Sequence, residues 1–412
     1  MRLAGVMALA LALPARAQDE KKEQVLVIRA AKILTMGPQG AVNHGVIVVR
    51  GGKIVEVGEN AKIPEGATVL DAGDSWAMPG FVDLHCHVGG SMWDINEMNH
   101  PRNPELSTKP TIEPDNELLL DAVAGGVTTV LYIPGSGTNI SGFGVLMNTG
   151  GGRTIEDLVL RFPGAMKVAQ AWNPERWGGD LGFSRMGMWW ALRRTLDRAK
   201  AYHEACSNYE KGLTKIPPAK QPDLELMRGL FERKYPVIIH TADARDVMGT
   251  ARIFNDEYKL AMIVSHGEFG GFRAAPEIAK RGLHCNIGPR IYDFWYFLHD
   301  GRFYGIASKY LEAGVKDLSL NTDSPVVPQE DLGFQAAMAV RYGLPVDVAL
   351  RGLTIAPARA VLADEWVGSL EPGKHADVVL WSGEPLDVRS YVRTTIIKGK
   401  VVYDAQRDGR RY

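Results

Sequence analysis

The hydrophobic pattern changes character twice along the chain. Between residues 24 and 71, short apolar and β-branched runs (Gln24 to Arg29, Gly45 to Arg50, Lys53 to Val57, Thr68 to Asp71) are broken by turn residues such as Gly51-Gly52. That spacing predicts hairpin strands. From about Met78 to Ala360 the runs become continuously apolar: Gly80 to His85, Thr128 to Ile133, Gly144 to Met147, Ala165 to Ala169, Val237 to His240, Ala261 to Ser265, Leu283 to Ile287 and Leu318 to Asn321, spaced by helical patterns. A continuously apolar strand belongs in a parallel sheet whose faces are both covered by helices. Eight of them predict a (β/α)8 TIM-type barrel over residues 78–360. Hairpin character then returns in Ala376 to Trp381, Thr394 to Ile397 and Val401 to Tyr403 around a Lys398-Gly399-Lys400 turn. The expected molecule is α/β: a barrel beside a small β-sandwich domain built jointly from segments 18–77 and 361–412.

The first residues read differently. Arg2 precedes an uncharged run, Leu3 to Leu13, too short to span a bilayer, and Ala15-Arg16-Ala17 supplies small residues at the right spacing for cleavage. We expect a signal peptide over residues 1–17, a mature chain from about Gln18, and a periplasmic or secreted location. No later segment is long enough for a membrane span. Cys86, Cys206 and Cys285 are odd in number and far apart, so no disulfide framework is expected. With 45% hydrophobic residues the chain can build a large core, and 47 basic against 48 acidic residues, with no basic stripe, exclude nucleic acid as a partner. A small-molecule substrate is the expected partner, and a homo-oligomer stays open.

Chemistry begins in Phe81-Val82-Asp83-Leu84-His85-Cys86-His87. Strand side chains alternate, so His85 and His87 point to one face and can reach a single metal ion. Three further polar residues close apolar strands: His240 after Val237-Ile238-Ile239, His266 after Ile263-Val264-Ser265, and Asp323 after Leu318 to Thr322. In barrels that end of the strand is the catalytic one. Lys167 lies inside the apolar strand Ala165 to Ala169, where an unpaired ammonium would be costly. Arg290, after Gly288-Pro289, is the best cation for a substrate carboxylate, and His100, on the long loop Val88 to Ile112, is a second candidate for touching substrate. His284 and His299 are weaker candidates. Trp172, Trp177 and Trp295 could line an apolar pocket, whereas Trp189-Trp190 at helical spacing suit the barrel's outer layer. Pro134 to Asn139 is glycine-rich but lacks the Lys-Ser or Lys-Thr of a phosphate-binding loop.

The order His-X-His, a lysine on a middle strand, two single histidines and a late aspartate resembles the amidohydrolase superfamily. So do the flanking stretches Met78-Pro79-Gly80-Phe81-Val82-Asp83 and Gly368-Ser369-Leu370-Glu371-Pro372-Gly373-Lys374-His375-Ala376-Asp377. The branch related to imidazolonepropionase and Xaa-Pro dipeptidases is the most similar in flavour. The resemblance implies that His85, His87, His240, His266 and Asp323 are ligands of one or two Zn2+ ions, or of another divalent metal. It also implies that Lys167 bridges two ions as a CO2-derived carbamate. Gln170-Ala171-Trp172-Asn173-Pro174 departs from the glycine and glutamate expected of relatives, which leaves Lys167 as the bridging candidate. The implied reaction is hydrolysis of an amide C-N bond in a dipeptide, N-acyl compound or cyclic amide. A metal-activated hydroxide attacks, Asp323 carries the proton to the leaving nitrogen, and His266 ligates or orients the carbonyl. Deamination, ester or lactone hydrolysis at the same residues, and a non-catalytic barrel kept for binding, are the alternatives.

Overall fold

Strands dominate the order of elements in the computed structural model, which describes residues 25–176, 184–293 and 303–412. The signal-peptide reading, Trp177, Trp295 and His299 lie outside the described residues. Five strands come first: β1 (Val25–Leu34), β2 (Ala41–Arg50), β3 (Lys53–Gly58), β4 (Thr68–Asp71) and β5 (Trp76–Pro79). Then follow β6 (Phe81–Cys86), β7 (Val127–Tyr132), β8 (Ile140–Asn148), β9 (Val159–Ala169), β10 (Val237–Thr241), β11 (Met262–His266) and β12 (His284–Ile287). A small hairpin, β13 (Tyr292–Asp293) with β14 (Tyr304–Gly305), precedes β15 (Leu318–Leu320). β16 (Val378–Trp381), β17 (Val392–Ile397) and β18 (Lys400–Asp404) end the chain.

Two large sheets result. The first runs β18-β17-β16-β5-β1-β2-β3, with β4 also paired to β1, so strands from both ends of the chain share one eight-stranded sheet. Its hairpins turn at residues in the left-handed region: Gly51 and Gly52 between β2 and β3, and Lys398 and Gly399 between β17 and β18. A side chain at Gly52 would also meet the Lys398 carbonyl oxygen at 2.8 Å, so the approach of the second turn requires the first to be bare there.

The second sheet runs β6 to β12 in chain order and then β15. Backbone bonds from Val82 N to Leu353 O and from His87 N to Ser324 O bring β6 back towards the far edge, so the sheet is a nearly closed barrel. All eight expected strands are present. One direction differs from expectation: β8 is antiparallel to both β7 and β9, while the remaining neighbours are parallel. The connection from Tyr132 to Ile140 is far too short for the crossover that a parallel return needs. β6, β7 and β8 are buried along their whole length, as their unbroken apolar sequences require. The longest helix, Arg185–Glu210, packs Trp189 on the barrel's outer layer but leaves Trp190 half exposed, against the expectation for that pair. No described helix is long and apolar enough to cross a membrane.

Candidate metal centre

β6 is the first wall of the site. At its end alternation sends His85 and His87 the same way, and both are buried; a register shift between Asp83 and Cys86 breaks the phase just before them. The strand ends of β9, β10 and β11 add Lys167, His240 and His266, and the segment after β15 adds Asp323. Two overlapping groups of ligand atoms form: His85 with His240 and His266, and His85 with His87 and Asp323, each within 4.8 Å. The Lys167 amine lies 2.8 Å from His85 Nε2, in contact with both groups. Asp323 Oδ1 is 3.1 Å from His87 Nε2 and 3.3 Å from His85 Nε2. The structure therefore brings together all six residues singled out in the sequence as ligands.

The outer nitrogens of these rings are anchored. His87 Nδ1 donates to the Ile133 carbonyl at 2.9 Å, and His266 Nδ1 donates to the Gly288 carbonyl. A carbonyl can only accept, so both rings carry a proton on Nδ1, and His266 turns an unpartnered Nε2 inward. His266 and Asp323 themselves sit at positive φ, 69° and 50°, a conformation costly for residues other than glycine. The strain re-aims both side chains as their strands end.

Several buried polar atoms at the site have no protein partner. His266 Nε2 and His240 Nδ1 are among them. A buried polar group without a partner costs on the order of 1–3 kcal/mol, and a cation would supply the missing contact. Imidazole nitrogen and carboxylate oxygen are also donors that Zn2+ and similar divalent ions accept. The residues fit such a group.

Electrostatics point the same way. Burial, with the Lys167 charge next, holds His85 well below the usual imidazole range, and burial lowers His240 and His266 too, so the rings are neutral. Burial pulls the Lys167 ammonium down to about 7, which makes a neutral, nucleophilic amine accessible near neutrality. For Asp323 burial acts upward, but His266, the hydrogen bond to His87 and Lys167 outweigh it and keep the carboxylate ionised.

The site opens into a cleft of about 290 Å³ bounded by Trp172, Asn173, His240, Glu268, Arg290 and Val326. Arg290 is at the rim as expected of a substrate contact, but it is already engaged: its backbone N–H donates to Glu268 Oε1 at 2.7 Å, and its Nε is 3.5 Å from Glu268 Oε2. Its guanidinium also lies 4.7 Å from the Phe269 ring, which meets the Trp172 ring at 4.2 Å in a tilted arrangement. Burial raises the Glu268 carboxyl to about 8, opposed by the Arg290 N–H. His100 is exposed on its loop and is not among the residues that line the cleft. His284 is likewise elsewhere, bonded to Ser319 Oγ at the start of β12. The glycine-rich loop after β7 serves close approach: Asn96 Oδ1 accepts from Gly137 N at 2.9 Å and lies 2.6 Å from where a side chain there would begin.

Sequence reasoning missed Asp83 and Glu268. Asp83 stood inside the motif, and a carboxylate within an otherwise apolar strand that is buried throughout was the available signal. Glu268 follows a strand end by two residues and had no periodic signal.

The comparisons with known proteins agree with this geometry. The profile of the amidohydrolase family matches residues 166–403, which takes in Lys167, His240, His266 and Asp323. The amidohydrolase TasK of Hapsidospora irregularis is 26% identical over 371 residues, 82% of this chain and 37% of that protein. Adenine deaminase 2 of Jannaschia sp. (strain CCS1) is 28% identical over 167 residues, 39% of this chain and 24% of that one. The chain thus spans well under half the length of these curated relatives. A crystal structure of an amidohydrolase from Thermotoga maritima MSB8 superposes with a TM-score of 0.83 at 28% identity, covering 92% of this chain and 100% of that one. With more than half of its length matched by the family profile, this chain belongs to the amidohydrolase family.

Proposed function

We propose that the chain is a metal-dependent hydrolase that cleaves an amide C-N bond in a small molecule bound in the cleft. The observation that carries this is the convergence of His85, His87, Lys167, His240, His266 and Asp323 on one buried point, with bare imidazole nitrogens turned towards it. His85, His87 and Asp323 would hold one divalent cation, zinc by donor chemistry; His240 and His266 would hold a second, with carbamylated Lys167 between them. Bound there, such a cation supplies Lewis acidity, acidifying water and polarising a carbonyl.

The chain's own residues do the rest. Asp323, ionised and at the cleft wall, accepts a proton from the attacking water and returns it to the departing nitrogen, without which an amine leaves poorly. Phe269 and Trp172 form an aromatic wall that keeps water off one side of a bound substrate. Arg290 and its partner Glu268 mark the polar end that orients it. Similarity to an adenine deaminase over part of the chain favours deamination as the second reading, because attack on an amidine carbon needs the same proton traffic.

Elemental analysis of protein purified without chelators, with Lys167→Ala beside it, tests the proposal. Two ions per chain, falling in the variant, are expected. One ion insensitive to Lys167 replaces the bridged site with a mononuclear one, and none overturns the reading. Dipeptides, N-acyl amino acids and cyclic amides, set against adenine and lactones, then decide the substrate class.

A further inference from the structure

A row of polar side chains crosses the barrel interior where apolar packing would be expected. The parallel register sets Ser265 on β11 beside Asn286 on β12, and Asn286 beside Ser319 on β15. All three are fully buried. They are joined end to end: His284 Nε2 meets Ser319 Oγ at 2.7 Å, Ser319 Oγ donates to Asn286 Oδ1 at 2.7 Å, and Asn286 Nδ2 donates to Ser265 Oγ at 3.4 Å. The row ends on His85, whose Nδ1 is 2.7 Å from Ser265 Oγ.

The direction of these bonds can be followed from donor to acceptor. Ser319 gives its one proton to the Asn286 carbonyl, so it accepts from His284, which burial keeps neutral with its pKa lowered to about 3. Asn286 is thereby fixed with its amide group towards Ser265. On the other side of the His85 ring, Nε2 faces the ligand cluster, 2.8 Å from the Lys167 amine and 3.3 Å from Asp323 Oδ1. For Nε2 to be offered to a cation it must be bare, which puts the ring proton on Nδ1, donated to Ser265. Ser265 Oγ receives from both the ring and Asn286.

We propose that Ser265, held by the Asn286–Ser319–His284 row, is a positioning residue for His85: it fixes the tautomer and ring plane that turn Nε2 to the cation. This inference rests on the metal-site reading above. His87 and His266 are anchored by backbone carbonyls, which no substitution removes. His85 belongs to both ligand groups and is held by a side chain instead. Outer partners of ligating histidines typically change metal affinity by about 10- to 100-fold when removed.

The test is zinc affinity of the metal-stripped full chain, measured by competition with a chromogenic chelator. Ser265→Ala is expected to bind zinc about 10- to 100-fold more weakly, and that loss is expected to vanish when Ser265→Ala is made in a His85→Ala background. A loss under twofold, or one that persists undiminished without His85, overturns the positioning role. If Ser265→Ala fails to fold, as judged by circular dichroism, Ser265→Cys keeps the volume with a weaker acceptor and carries the same expectation. No zinc binding by the wild-type chain would instead bring down the metal-site reading itself, a result distinct from a variant matching a wild type that binds.

Discussion

Asp83 neither lines the cleft nor joins either ligand group, yet its carboxylate gathers four donors. Oδ1 accepts from His85 N at 3.0 Å; Oδ2 accepts from Thr322 N at 3.1 Å, Thr322 Oγ1 at 2.7 Å and Gln329 Nε2 at 2.7 Å. It ties the strand bearing two ligands to the residue just before Asp323. Burial raises its pKa to about 6 against the pull of these bonds. Asp83→Ala leaves the donors buried and unmet, so we expect a loss of roughly 3–5 kcal/mol in urea unfolding, together with weaker metal retention. Asp323→Asn, in contrast, keeps size and most contacts but cannot carry a proton. Turnover should fall at least about 100-fold while elemental analysis finds the metal largely retained; a variant with most of its activity would remove the proton-carrier role.

At the level of elements, the inverted strand β8 is the main departure from eight parallel units. Its reversal puts the loop of residues 133–139 at the ligand end of the barrel, where Ile133 O anchors His87 and Gly137 receives Asn96. β8 also makes room for the long loop after β6. Gly142 lies at φ 115°, and a Cβ there would come within 2.6 Å of Leu106 O, on that loop. Both the backbone conformation and the contact exclude a side chain. Gly142→Ala should therefore lower the unfolding free energy measured in urea, by about 1–3 kcal/mol for the strained φ and more for the clash. Faster proteolysis within residues 88–112 would show that the loop has been dislodged.

Across the whole molecule, the two sheets are joined at Asp377, just before β16. Its carboxylate accepts from Lys398 N at 2.8 Å and from Asn148 Nδ2 at 3.3 Å, on the barrel strand β8, and burial raises its pKa to about 6. A carboxyl with a raised folded pKa holds its proton more tightly folded than unfolded. The stability it contributes is present below its ordinary value of 3.8 and lost as pH rises through 6. A carboxyl displaced that far is linked to roughly 3 kcal/mol of stability. Asp83 acts in the same window, so stability should decline between about pH 4 and 6 before other groups intervene. Asp377→Asn should flatten that decline. The unpartnered Asn148 Oδ1 can turn to accept from the new amide, so the variant should fold. An unchanged slope of unfolding free energy against pH would show that Asp377 does not titrate in that window.

Local pattern determined the strand positions, because two-face burial requires an unbroken apolar run and partial burial requires alternation. The pair His85 and His87 was legible for the same reason, being set by the period of one strand. Resemblance, not pattern, turned Lys167, His240, His266 and Asp323 into one site. What only the tertiary structure decided lies between distant segments: the Asp83 bonds to Thr322, 239 residues away, the His85 bond to Ser265, 180 residues away, and the pairing of Glu268 with Arg290. No local periodicity encodes such partners. They exist because a nearly closed barrel brings its first strand beside its last, and because buried polar atoms must find whichever partner that closure brings near.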